Sequence, residues 1–156
     1  MILFPGPPHK NCALPSNFLL SWLLWPTAAI RDMTKVLIVD DSRIGRNAVR
    51  SVIASNSTLK IVGEASTGEE AQLLTDELTP EVVLLDSTLP DIGSFRLTRL
   101  LRKSHPEVKV ILLSTFDNEE YRKEAHICGA AGYIVKNQVA NNLNETINSL
   151  ATAAVA

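Results

Sequence analysis

Thiols are scarce in this chain. Its two cysteines, Cys12 and Cys128, are the only ones in 156 residues, too few and too far apart for a disulfide framework or a zinc site. The three histidines, His9, His105 and His126, show no metal-ligand spacing. Excess positive charge is missing as well. Fifteen Lys+Arg against 17 Asp+Glu leave a net charge of -2, a poor electrostatic footprint for a nucleic-acid binder, which needs a clustered basic face. There is no long hydrophobic run either: the best stretch, residues 17–30, is broken at Pro26 and falls short of the roughly 20 residues a membrane-spanning helix requires. A secreted disulfide scaffold, a zinc enzyme and a DNA-wrapping protein are therefore excluded. What remains is globular composition, 46% hydrophobic and 21% charged, with room for one domain of ordinary size.

Residues 1–32 read differently from the rest. They hold Pro5, Pro7, Pro8, Pro15 and Pro26, five of the eight prolines, and both tryptophans, Trp22 and Trp25. Lys10 ahead of an apolar segment and the small residues Thr27-Ala28-Ala29 give the outline of a targeting or anchoring segment. Met33-Thr34-Lys35, directly before a strand, instead looks like a natural start, which would make 1–32 an N-terminal extension from a mis-assigned start. A docked structural arm is the third reading. The fold is argued from residues 33–156.

There, strand and helix signals alternate. Lys35–Val39 is a continuous β-branched run of the kind buried parallel strands carry. Ser42–Ser55 follows as a helix with Ile44, Ala48, Val49, Val52 and Ile53 on one face. Leu59–Ala65 predicts a second strand. Thr67-Gly68-Glu69-Glu70 then resembles a capping box, with Ala71, Leu73, Leu74 and Leu78 behind it and Pro80 ending the helix. Val82–Leu85 predicts the third strand and Phe95–Lys103 a helix with Leu97, Leu100 and Leu101 apolar. Val108–Leu113 is the fourth strand, Asn118–Cys128 a helix closed by Gly129, Tyr133–Val135 the fifth strand, and Val139–Leu150 a last helix. Five βα units in a row predict an α/β fold, a five-stranded parallel sheet doubly wound with helices on both faces.

Ligands of such sheets bind at the carboxyl ends of the strands, where the strand order reverses. The residues standing there are Asp40 and Asp41 after the first strand, Asp86 after the third, Ser114 after the fourth and Lys136 after the fifth. Each alone has an ordinary explanation: Asp41 or Ser42 would cap a helix, and Lys136 would be a surface lysine. Jointly they are not ordinary, because three acids held together repel one another unless a cation is present. Oxygen ligands without histidine or thiolate favour Mg2+. A carboxylate can attack a phosphoryl group to give an acyl phosphate, with Lys136 and the Ser114 hydroxyl stabilising charge on the group transferred. Asp40-Asp41-Ser42-Arg43-Ile44-Gly45 has one glycine and two acids, so neither a dinucleotide fingerprint nor a P-loop is present.

The pieces Val-Leu-Ile-Val-Asp40-Asp41-Ser, Val-Val-Leu-Leu-Asp86-Ser-Thr-Leu-Pro90, Ile-Leu-Leu-Ser114 and Gly129-Ala-Ala-Gly-Tyr133-Ile-Val-Lys136, in this order, resemble a response-regulator receiver domain of two-component signalling. The resemblance covers Met33 to about Leu150 and is closest in flavour to receivers of the NarL/FixJ type. It implies the flavodoxin-like strand order 2-1-3-4-5, Asp86 as phosphoacceptor, and Mg2+ held by Asp40, Asp41, Asp86 and the Thr88 backbone carbonyl, with Asp41 the more direct ligand. It also implies Ser114 and Lys136 on the phosphoryl oxygens and Tyr133 as the switch aromatic that moves with Ser114. The donor would be a sensor histidine kinase or a phosphotransfer protein, the output a downstream protein target or a homodimer, and the setting cytoplasmic, with no membrane and no direct nucleic-acid contact by this chain. Such a chain is a signalling phosphoacceptor, an enzyme only in assisting its own phosphorylation and slow dephosphorylation.

Two departures from the family pattern stand out. The loop Pro90-Asp91-Ile92-Gly93 reads as one residue shorter than the usual Pro-x-Met-Asp-Gly, which leaves the start of the third helix open. Residues 33–156 are expected to be a receiver without an output domain, and a second reading is the receiver fragment of a truncated helix-turn-helix transcription regulator. An aspartyl phosphatase is a poor third, since Thr88 stands where that class needs a second acid, and an inactive pseudo-receiver would lack a site residue. Elsewhere, Cys128 reads as a buried structural thiol, His105 as a loop residue, His126 as surface, and Arg96, Arg99, Arg102 and Lys103 as a solvated basic face.

Overall fold

The computed structural model describes residues 33–153, with side chains to residue 150. The expectations for residues 1–32 lie outside the described residues. Five strands, β1 (Thr34–Val39), β2 (Leu59–Ala65), β3 (Val82–Asp86), β4 (Lys109–Ser114) and β5 (Gly132–Val135), alternate with α1 (Arg43–Ala54), α2 (Gly68–Leu78), α3 (Ser94–Ser104), α4 (Glu119–Ile127) and α5 (Val139–Ala153). All strand pairs are parallel, in the order β2-β1-β3-β4-β5. Fold class, strand order and helix count agree with the sequence reading; boundaries differ by at most three residues, and β2 has the bounds expected.

Successive strand residues point to opposite faces, and the sheet is apolar on both. Val36, Ile38, Val82, Leu84, Ile111 and Leu113 form one core with Val49 and Ile53 of α1 and Leu143 and Ile147 of α5. Leu37, Val39, Val83, Leu85, Val110 and Leu112 form the other with Ala71 of α2, Leu97 and Leu101 of α3 and Ala125 of α4. This is why the strand sequences show no polar alternation.

The helix faces need correction. Ile44 is 82% exposed: it sits in the first turn of α1, next to the loop leaving β1, where no sheet remains to be covered. Ala48 is also exposed. Leu73 of α2 and Leu100 of α3 face solvent too, because the buried faces run through Gly68, Ala71 and Thr75 in α2 and Ser94, Leu97, Thr98 and Leu101 in α3. Thr75 Oγ1 donates to the Ala71 carbonyl (2.6 Å) and Thr98 Oγ1 to the Ser94 carbonyl (2.8 Å), so both hydroxyls are buried without an unmet bond.

The α2 cap is also not a simple box. Thr67 Oγ1 accepts from Glu70 N–H as expected (3.1 Å), but the Glu70 carboxylate reaches one residue further back, accepting from Ser66 N–H (2.8 Å). A carboxylate from a different loop completes the cap: Asp91 Oδ1 accepts from Gly68 N–H (2.9 Å) and Oδ2 from Glu69 N–H (3.0 Å). These bonds, Gly68 N–H first, hold the Asp91 carboxyl below its usual range. The approach is so close that a Cβ on Gly68 would lie 2.0 Å from Ile92 Cγ2. Helix α3 starts at Ser94, and its N-cap, Gly93, makes no side-chain bond.

Gly129 ends α4 with φ 91°, a left-handed position that favours glycine. Cys128, buried beside it, donates its thiol to the Ala125 carbonyl (3.1 Å), and burial pushes its pKa up, as a structural thiol requires. His105 caps α3, with Nε2 2.7 Å from Asp76 Oδ1 of α2, and His126 is exposed. The basic stretch of α3 is not simply solvated: Arg99 pairs with Glu124 of α4, and Arg102 Nη1 donates to the Val108 carbonyl (3.0 Å). Among the described residues, no helix is long and apolar enough to cross a membrane.

Candidate functional site

Strand order reverses between β1 and β3, which are neighbours inside the sheet, and their carboxyl ends form the crevice such sheets use for ligands. Asp86 is the last residue of β3, in register with Leu113, and Asp40 stands just past β1, its N–H donating to Ala65 O of β2 (3.1 Å). Both are buried, Asp40 1% and Asp86 3% exposed. Lys136 opens a 3-10 turn, Lys136–Gln138, directly after β5, and its ammonium spans the two acids, Nζ lying 2.8 Å from Asp40 Oδ2 and 3.1 Å from Asp86 Oδ2. Asp41 is exposed at the rim. The carboxylates of Asp40, Asp41 and Asp86 each bring an oxygen within 4.8 Å of the others.

The charges do not balance: three carboxylates share one ammonium. Burial pushes the Asp86 carboxyl above its usual range; Lys136 pulls it back, and Asp40 pushes it up again. Burial would lower the Lys136 pKa, but its hydrogen bond to Asp40 and the charge of Asp86 outweigh that and hold it above the ordinary lysine value. An all-oxygen cluster with two buried members, one open to water and surplus negative charge is chemically suited to a hard divalent cation that keeps part of its hydration shell. Thr88, in the loop after β3, donates its Oγ1 to Asp86 Oδ2 (3.1 Å).

Ser114, fully buried, ends β4. Its Oγ accepts from Phe116 N–H (3.1 Å) and from Ser87 Oγ (3.2 Å), leaving its own proton available. Tyr133 lies in β5 and donates its hydroxyl to the Phe116 carbonyl (2.7 Å), with the Arg122 guanidinium 5.0 Å above its ring. Phe116 thus touches Ser114 through its N–H and Tyr133 through its carbonyl, a two-bond link between the two residues expected to move together.

Asp40, Asp41, Asp86, Thr88, Ser114 and Lys136 therefore stand at the carboxyl edge of the sheet, with Asp40, Asp41, Asp86 and Lys136 in one cluster, while Tyr133 lies within β5 and reaches the edge through its hydroxyl. The sequence reading missed Ser87, the partner of Ser114, and Arg46, whose Nη1 donates to the Asp40 carbonyl (2.7 Å). It also missed Asp91, which ties the loop carrying Thr88 to α2. A lone Asp after Pro90 signals only a turn, and nothing in a sequence marks a contact to a backbone carbonyl.

Comparison with known proteins agrees with this fold. Residues 36–148 match the family model of the response regulator receiver domain. The response regulator GacA of Pseudomonas protegens is 36% identical over 118 residues, covering 76% of this chain and 54% of that protein; the chain thus spans about half the length of such curated relatives. Among solved structures, the response regulator domain of Thermotoga maritima CheB superposes with a TM-score of 0.70 at 31% identity, covering 76% of this chain and 96% of that one. A LuxR-family DNA-binding response regulator from Staphylococcus aureus gives 0.69 at 29%, covering 75% and 98%. A sheet order, an acid cluster at its switch point and a match across nearly all the described residues agree on one assignment: the chain belongs to the response regulator receiver domains of two-component systems.

Proposed function

We propose that Asp86 accepts a phosphoryl group from a phosphohistidine of a sensor histidine kinase or phosphotransfer protein. The observation that carries this reading is the Lys136 ammonium bridging Asp40 and Asp86 beside the third acid, Asp41. A carboxylate oxygen of Asp86 forms the new P–O bond as the P–N bond to the donor imidazole breaks, and the imidazole nitrogen keeps the electron pair. Attack by water on phosphorus later releases inorganic phosphate and restores the carboxylate. Asp40, Asp41, Asp86 and the Thr88 backbone carbonyl would hold Mg2+, which when bound supplies charge neutralisation for the acids and the phosphoryl oxygens.

The residues of the chain do the rest. Lys136 leaves its bridging position to pair with a phosphoryl oxygen, and the Ser114 hydroxyl donates to another. Because Ser114 and Tyr133 are joined through Phe116, drawing Ser114 toward Asp86 strains the Tyr133 bond and biases the β4–α4–β5 region toward a second arrangement. The chain then acts as a cytoplasmic phosphoacceptor, an enzyme only toward its own phosphorylation state, with a downstream protein or a second copy as its target. A receiver belonging to a longer helix-turn-helix regulator is the second reading, favoured by the half-length coverage of GacA; a helix-turn-helix coding segment directly downstream would decide for it.

The test is intact-mass analysis of the purified chain after incubation with acetyl phosphate and Mg2+. One phosphoryl adduct, lost on chelation and in Asp86→Asn, is the expected result. No adduct, together with no saturable beryllofluoride binding, would leave the fold and overturn the phosphoacceptor role.

A further inference from the structure

Asp41 is the exposed member of the acid cluster, and among the described residues no hydrogen bond or ion pair holds its carboxylate. Asp40 is held by Ser42 N–H on Oδ1 (2.8 Å) and by Lys136 on Oδ2 (2.8 Å), and Asp86 by Thr88 and Lys136. The aim of Asp41 must therefore come from its backbone. The peptide joining Asp40 to Asp41 is a rigid plane with the Asp40 carbonyl at one end and the Asp41 N–H at the other. On its near side the Asp40 N–H is fixed to Ala65 O of β2 (3.1 Å). The carbonyl itself accepts from Arg46 Nη1 (2.7 Å).

Arg46 is anchored in turn. Its Nε lies 3.3 Å from Glu64 Oε2 of β2, while Arg50, one turn further along α1, donates Nε to Glu64 Oε1 (2.9 Å). Both carboxylate oxygens of Glu64 are thus engaged, and two edges of the planar Arg46 guanidinium are used, one on Glu64 and one on the Asp40 carbonyl. We propose that Arg46, braced by Glu64, is a positioning residue that sets the Asp40–Asp41 peptide and so aims the Asp41 carboxylate at the divalent cation. The inference rests on the metal-binding reading of the acid cluster.

Two features separate positioning from charge balance. The guanidinium is given to a backbone carbonyl and to Glu64 rather than to Asp41. A lysine at position 46 would keep the positive charge but lack the rigid fork that serves two acceptors at once. If charge is what counts, Arg46→Lys restores function; if geometry is what counts, it does not.

The experiment is calorimetric titration of Mg2+ into the intact chain without phosphodonor, for wild type, Arg46→Lys, Arg46→Gln and Glu64→Gln. Melting curves run alongside, as does the Mg2+ dependence of phosphorylation by acetyl phosphate. Lysine and glutamine at 46 are each expected to weaken Mg2+ binding by about 10-fold, the range for residues that orient metal ligands. The rate at saturating Mg2+ should stay within about 2-fold and the melting temperature should barely move. Glu64→Gln, which leaves the loop untouched, is expected to shift Mg2+ binding in the same direction by less. Wild-type affinity in Arg46→Lys and Arg46→Gln, with wild type itself binding Mg2+, would overturn the positioning role alone. Full rescue by Arg46→Lys would overturn it in favour of charge balance, and lost affinity that only follows lost folding would overturn it in favour of a purely structural role. No Mg2+ binding by wild type would overturn the metal site as well.

Discussion

Replacing Asp86 by asparagine is expected to make the metal-free protein more stable near neutral pH. The carboxylate is 3% exposed, and its pKa is raised above 3.8, first by burial, with Lys136 opposing and Asp40 adding to the effect. The sign follows directly. A group whose pKa is higher folded than unfolded holds its proton more tightly in the folded state, so folding is favoured while it is protonated. Stability is then lost as pH rises from the unfolded value through the folded one. Each tenfold in proton affinity is worth about 1.4 kcal/mol. Asparagine keeps the shape and removes the charge; its amide oxygen still accepts from Lys136 Nζ, now 3.1 Å from Asp86 Oδ2, and Lys136 keeps Asp40 as its counter-ion. A gain of about 1–2 kcal/mol is expected, the scale on which relieving a strained functional site stabilises a protein. That corresponds to a rise of about 3–8 °C in melting temperature for a domain of this size.

Urea denaturation of the intact chain followed by far-UV circular dichroism, in chelator, reads this out. The gap between variant and wild type should widen as pH rises and close as pH falls toward 3.8, the ordinary value for the carboxyl. It should also narrow or reverse when Mg2+ is saturating for wild type, because a cation that binds only the folded state adds its own stabilisation. An Asp86→Asn variant no more stable than wild type near neutral pH in chelator would refute the reasoning, since it would mean that Lys136 already offsets the burial of this charge.

Two further substitutions test other parts of the molecule. Phe116 is half-exposed two residues past Ser114; if its bulk shields a phosphorylated Asp86 from water, Phe116→Glu or Phe116→Asn is expected to shorten the lifetime of the phosphorylated form severalfold, and an unchanged half-life would remove that idea. Gly68→Ala puts a Cβ 2.0 Å from Ile92 Cγ2 and is expected to cost about 1–3 kcal/mol by urea denaturation, most of it recovered in the Gly68→Ala/Ile92→Ala double variant; additive losses would mean that the clash is relieved elsewhere.

The sheet was legible because a strand buried on both faces must be apolar at every position. Val82–Leu85 is buried throughout, and no helix reading explains so short a run between Pro80 and Asp86. The site was legible for a related reason: in a parallel sheet every strand ends at the same edge, so the residue after each strand is assigned to one place by chain direction alone. Asp40, Asp86, Ser114 and Lys136 needed no side-chain geometry to be brought together. The strand order did not come from the alternation of elements, which many orders would satisfy; it came with the family resemblance and is confirmed by the pairing of β1 with both β2 and β3.

Helix faces were less legible, and α2 shows why. Leu73 is more apolar than Thr75, so a hydrophobic pattern places Leu73 inside; the structure does the reverse. Thr75 can be buried because the helix supplies its hydroxyl with an acceptor, the Ala71 carbonyl, while the small residues Gly68 and Ala71 let the helix lie close to its neighbours. Burial here follows fit and a satisfied hydrogen bond, neither of which is a property of residue type. The same limit hid Arg46 and Asp91. Each acts on backbone groups, the Asp40 carbonyl in one case and the Gly68 and Glu69 N–H groups in the other, and a backbone group is identical at every position of a chain. The residues that do chemistry therefore stand out by type and by place along the strand, whereas the residues that hold them still come into view only once the helices have been laid against the sheet.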